Sequence, residues 1–208
     1  DSLALNAGYK NRLDSLKTLT NQNFETAYYS TKNPDGTYTY HKQQGSIGSP
    51  FISGSNNITT PISSYMHNHY TGLLSVFSGG DLQQMYYWLK NGIISDPSTF
   101  SMSLVTDNGT TYMLQIDDII KFQQFGQTWL NNVAWFTTFE SMYLHNYGIS
   151  QTASNSNNLS GFLRMLGENN TGLKFFVGDN STFSTWNPKK FQSDGTFSGG
   201  TIIDSPCN

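Results

Sequence analysis

The stretch Tyr65-Met66-His67-Asn68-His69-Tyr70, followed by Phe77-Ser78-Gly79-Gly80-Asp81, decides how this chain is read. It holds two of the four histidines, His67 and His69, one residue apart at the end of an apolar-rich run, with an acid arriving a short loop later. Alternate side chains of a β-strand share a face, so both imidazoles of an extended run can reach one ion. Ile62-Ser63-Ser64-Tyr65-Met66 suits a strand and follows Pro61, which cannot easily sit inside one. A Gly-containing loop, Thr71 to Phe77, comes next, and then Leu82, Met85, Tyr86 and Leu89 recur at the spacing of one helix face. The reading is strand, loop, helix, with His67, His69 and Asp81 meeting at the strand end.

Two histidines and a carboxylate leave a zinc ion one open position for water. Zinc lowers the pKa of that water toward neutrality and polarises a carbonyl, which suits hydrolysis. Manganese or iron also accepts these ligands. Such a hydrolase needs a base that is not a ligand. Of the acids before His67 (Asp1, Asp14, Glu25 and Asp35), Glu25 alone lies in a strand-like run, Phe24 to Tyr29, with the small Ala27 next along its face. Plainer roles exist beside these. Ser78 with Asp81 three residues on is a helix-capping pair, a role compatible with ligation.

Taken in order, Glu25, then His67-x-His69, then Ser78-x-x-Asp81 resembles the JAMM (JAB/MPN domain) metallopeptidases. The form Phe77-Ser78-x-x-Asp81 is similar to their bacterial, toxin-associated members, and the resemblance covers roughly residues 23–116. It implies a cytidine-deaminase-like core and a peptide or isopeptide bond as substrate. It also implies His67, His69 and Asp81 as zinc ligands, Glu25 as general acid/base, and Ser78 as stabiliser of the oxyanion. Two features depart from the family pattern: Tyr70 stands where proline commonly follows the second histidine, and the loop between His69 and Asp81 is eleven residues, one more than usual.

The rest of the chain supplies an α+β fold, a mixed β-sheet flanked by helices. Leu13, Leu16 and Leu19 mark a helix over residues 3–19, expected to pack on the sheet as a lid or brace. Asn33-Pro34-Asp35-Gly36 is a turn that makes residues 24–42 a hairpin, with His41 an ordinary exposed strand residue. Residues 43–60, rich in Gly, Ser and Asn, read as a loop bordering the cleft and anchored by Phe51 and Ile52. Asp107-Asn108-Gly109 between alternating runs predicts a second hairpin. Residues 117–168 read as a helical elaboration whose aromatics pack on the core, with His145 at a helix end. The tail has strands near 173–177 and 199–203, with Trp186-Asn187-Pro188 and Asp194-Gly195 as turns between them. No repeat or linker divides residues 1–208, so a single domain is expected.

Charged residues are 12% of the chain, about half the usual share. A polar but nearly uncharged surface points to an extracytoplasmic or secreted protein. Opening on Asp1 rather than Met, the chain reads as processed or trimmed, with no signal peptide and no membrane span. The single cysteine, Cys207, forms no internal disulfide and leaves the redox compartment open. Sequons such as Asn57-Ile58-Thr59 are expected by chance in a chain of this composition. The net charge of −3, with no basic stripe, argues against nucleic acid.

The function these residues predict is zinc-dependent hydrolysis of a peptide or isopeptide bond in a polypeptide or a peptidoglycan peptide. The alternative is a JAMM-like scaffold without catalysis, a binding or structural module at a cell surface, with the Tyr70 ring occluding the ion's open position. A glycan-binding module has less support, because the aromatic residues follow core periodicities.

Overall fold

The computed structural model of the chain describes residues 6–52, 55–196 and 198–205. Its architecture is α+β: one mixed eight-stranded sheet in the order β2-β1-β3-β4-β5-β6-β7-β8 with five helices packed on it. The strands are β1 (Thr26–Lys32), β2 (Tyr38–Gln44), β3 (Ser64–His69), β4 (Ser101–Thr106), β5 (Thr111–Ile116), β6 (Leu173–Gly178), β7 (Trp186–Ser193) and β8 (Gly200–Asp204). The helices are α1 (Ala7–Thr18), α2 (Gly79–Lys90), α3 (Ile119–Trp129), α4 (Val133–His145) and α5 (Asn155–Glu168).

Every neighbouring pair is antiparallel except β3 and β4, which run parallel because α2 carries the chain back between them. Both hairpins form where expected, β1 with β2 and β4 with β5. In the second, Gly109 takes φ +74, which a residue with a Cβ adopts at a cost.

The sheet separates two cores. On one face Tyr9, Leu13 and Leu16 of α1 are fully buried against Met66 of β3 and Val105 of β4. Each such side chain contributes about 1.5–3 kcal/mol on burial. The other face meets α2 to α5 through Leu82, Met85, Trp88, Phe122, Phe139 and Phe162. Since His67 and His69 point to this second face, α1 is a brace beneath the site rather than a lid over it. Residues 3–5 of the expected helix lie outside the described residues.

Several expectations are corrected. Trp186-Asn187-Pro188 is not a turn but the start of β7. Pro188 fits a strand because its carbonyl, and with it the missing N–H, faces the point where β8 ends, and the N–H of Ser205 just beyond β8 donates to that carbonyl at 2.9 Å. Phe51 does not anchor its loop: it is 63% exposed, and only Ile52 beside it is buried. The aromatics of α4 divide. Phe139 and Tyr143 are buried, but Val133 and Trp135 in the first turn are exposed, and Trp135 meets the edge of Trp129. Among the described residues no helix is long and apolar enough to cross a membrane.

Candidate metal centre

Strand phase sets the site. Tyr65, His67 and His69 alternate with Ser64, Met66 and Asn68 along β3, and all six are buried. A short loop brings the chain to Ser78, the N-cap of α2, and here the capping and ligand roles coincide. Asp81 N–H donates to Ser78 Oγ at 3.1 Å, while the Ser78 N–H and hydroxyl donate to Asp81 Oδ2 at 2.7 and 2.8 Å. That box fixes the carboxylate with Oδ2 held by Ser78 and Oδ1 turned to His67.

His67 Nε2 lies 3.0 Å from Asp81 Oδ1, and His69 Nε2 lies 3.5 Å from Asp81 Oδ2. One ligand atom from each of His67, His69 and Asp81 falls within 4.8 Å of the others, so this buried group can hold a metal ion. Ligands around one zinc ion at bonds of about 2.0–2.1 Å stand about 3.4 Å apart, close to the observed spacing. The rings differ in what they lack. His69 Nδ1 donates to the Leu74 carbonyl at 2.8 Å, which fixes the ring and presents Nε2 to the site. His67 is 2% exposed, yet among the described residues neither of its ring nitrogens makes a hydrogen bond, Nε2 meeting Asp81 Oδ1 only as the 3.0 Å contact. A buried polar atom left unpaired costs about 1–3 kcal/mol, and an ion that accepts the Nε2 lone pair removes that cost.

Glu25 is not part of the ligand group but stands beside it, with Oε1 3.7 Å from His69 Nε2. It immediately precedes β1, and its carbonyl accepts the Gly45 N–H at 2.8 Å. A Cβ on Gly45 would stand 2.9 Å from the Phe51 carbonyl, so glycine permits this close passage of the loop. Asn68, the residue between the two histidines, points the other way and ties the two strands together. Its Oδ1 accepts the Thr26 N–H at 2.6 Å, and its Nδ2 donates to the Leu19 carbonyl at 3.2 Å.

Burial and charge set the protonation states. Desolvation raises the Glu25 carboxyl to about 7; the two histidines pull it down and Asp81 adds to the rise. For His69 desolvation opposes the charged form, but the hydrogen bond and charge of Asp81, Glu25 and the Leu74 carbonyl outweigh it and raise the ring to about 9. Asp81 is likewise opposed by desolvation, yet its contacts with His67 and His69 hold it well below the usual carboxylate range.

The site floors a cleft of about 410 Å³ lined by Glu25, His67, Ser78 and Asp81 together with Tyr65, Phe51, Gln83 and Gln84. All five residues singled out in the sequence therefore converge. His41 and His145 stand elsewhere: His41 stacks on Tyr29 and contacts Thr31, and His145 is exposed at the end of α4. Tyr70 does not line the cleft. Sequence reasoning missed Asn68, Tyr65 and the Leu74 carbonyl. Asn68 had an available signal, since an amide between the two histidines on a buried strand must find partners on the opposite face.

No protein-family model matches the chain, and no curated protein or solved structure matches it at a significant level.

Proposed function

We propose that this chain is a zinc-dependent hydrolase of peptide or isopeptide bonds, with the chemistry and deaminase-like core that its resemblance to the JAMM metallopeptidases implies. The observation that carries the reading is the buried His67 ring, whose nitrogens make no hydrogen bond among the described residues, facing Asp81 and His69 beside an acid that the ligand group leaves free. His67, His69 and Asp81 would hold the ion. When bound, zinc makes water acidic near neutral pH and polarises a carbonyl.

Glu25 moves the proton. Its carboxyl, raised to about 7, is suited both to accept and to return a proton near neutrality. It takes a proton from the attacking water and delivers it to the leaving amine nitrogen. One C–O bond forms, the C–N bond breaks, and one water is consumed. Ser78 orients Asp81, and its hydroxyl reaches the substrate oxygen as an oxyanion donor by turning from Asp81 Oδ2. The low charge of the chain supports an extracytoplasmic setting, where a polypeptide or a peptidoglycan peptide is the target.

The test uses zinc-loaded protein and a panel of peptide and isopeptide substrates. Glu25→Ala should lower turnover by at least about 10²–10⁴-fold while zinc stays bound. Turnover that survives the substitution removes Glu25 from the mechanism. Zinc bound with no cleavage by the unsubstituted protein moves the reading to a binding or structural module.

A further inference from the structure

Tyr65 and Gln84 take no part in the reaction just described, yet both line its cleft. Tyr65 precedes His67 on the same face of β3 and is 5% exposed. Its ring is held at 5.7 Å from His67 and 4.6 Å from Trp88, centroid to centroid. Its hydroxyl makes no hydrogen bond to a described residue and keeps access to the cleft. Gln84 lies one turn beyond Asp81 on α2. Its Oε1 accepts the Ser55 hydroxyl at 2.9 Å, which turns the amide so that Nε2 is buried with no partner. Two donors in one wall are thus left without an acceptor among the described residues.

The charge of the lining narrows what fits them. It includes no Lys or Arg, and its acids are Glu25 and Asp81. Along this wall, away from the proposed ion, a third carboxylate would lose water and meet Glu25 and Asp81 with no Lys or Arg to offset them. A backbone carbonyl is a neutral acceptor and meets no such cost. At the rim the exposed Phe51 beside Pro50 offers an apolar surface to a flanking side chain.

We infer that Tyr65 and Gln84 bind backbone carbonyl groups of an uncharged polypeptide segment laid in this cleft. The substrate is then a polypeptide with neutral residues at the cut, rather than a carboxylate-rich cell-wall peptide. The cut rests on the hydrolase reading above; the subsite rests on the two unpaired donors and the lining.

The experiment separates these. Two fluorescent peptides, identical except for glutamine or glutamate on the carbonyl side of the cut, are titrated by anisotropy into zinc-loaded Glu25→Gln protein. The same titration follows with Tyr65→Phe or Gln84→Leu added. The glutamine peptide should bind, and each added substitution should weaken it about tenfold, one unsatisfied hydrogen bond's worth. Tyr65→Phe keeps the ring against Trp88, and a thermal melt confirms the fold of each variant. The glutamate peptide should bind about tenfold more weakly. Affinities unchanged to within about twofold in both variants, or no binding of either peptide, overturn the subsite. Preference for the glutamate peptide overturns the uncharged class in favour of a cell-wall peptide. Cleavage by the unsubstituted protein is read apart. Binding with these losses but no cleavage leaves the subsite and removes the hydrolase. Cleavage with KM and kcat unchanged by Tyr65→Phe and Gln84→Leu does the reverse.

Discussion

On one face of β3, Ser64 and Asn68 give their polar atoms to neighbours: Ser64 Oγ pairs with Ser30 Oγ at 2.6 Å, and Asn68 bridges the Thr26 N–H and the Leu19 carbonyl. On the other face Tyr65 and His67 are 5% and 2% exposed, and among the described residues neither the Tyr65 hydroxyl, which is open to the cleft, nor either His67 nitrogen makes a hydrogen bond. The two sets alternate along one strand, so neither secondary structure nor burial separates them. Satisfaction does. Ser64 and Asn68 lock β1 onto β3 from the α1 face, although Thr26 Oγ1 and Ser101 Oγ on that face also lack partners among the described residues, while on the cleft face the His67 ring is left facing Asp81.

The largest effect expected on the cleft face is loss of metal. Protein purified without added metal or chelator should carry about one equivalent of zinc, and the His67→Ala, His69→Ala variant should carry none. Elemental analysis decides this, and a wild-type chain that takes up no metal when zinc is supplied would erase the contrast between the faces.

Next is a dependence on pH. His69 rises from 6.5 to about 9 and Glu25 from 4.5 to about 7 in the fold. A group with a raised folded pKa stabilises below its unfolded value and loses that contribution as pH climbs through the folded one. Metal-free protein should therefore lose stability between about pH 4.5 and 9. Asp81, shifted down, acts only below its model value of 3.8, outside this window. Zinc must displace the His69 proton, so the gain in melting temperature from zinc should grow over the same range. A zinc-induced shift that is flat or shrinks from pH 6 to 9 would count against His69 as a ligand.

The smallest effect belongs to the α1 face. Asn68→Ala leaves the Thr26 N–H and Leu19 carbonyl unpaired and should cost about 2–3 kcal/mol in denaturant unfolding. Zinc stoichiometry should stay as in the wild type. A variant that keeps its stability but loses zinc would show that the two faces are not separate in role.

Much of this was legible beforehand because its causes are local. Asn108-Gly109 names a tight hairpin by its need for positive φ, and Ser78 with Asp81 names a helix start by the free amides it satisfies. The strand β7 was not legible, since Pro188 reads as a breaker until Ser205 lies beside its carbonyl. Nor was the exposure of Trp135, whose helical position is the same whether or not the core extends beneath it.

For the site the division is sharper. The sequence by itself determined that His67 and His69 share a face and that Ser78 and Asp81 open a helix, because both follow from backbone period and capping chemistry. Only the tertiary structure decided that Glu25, on a hairpin forty-two residues before His67, stands 3.7 Å from His69, and which buried polar atoms lack partners. Whether a donor is satisfied depends on what packs against it from distant parts of the chain, and no local pattern encodes that.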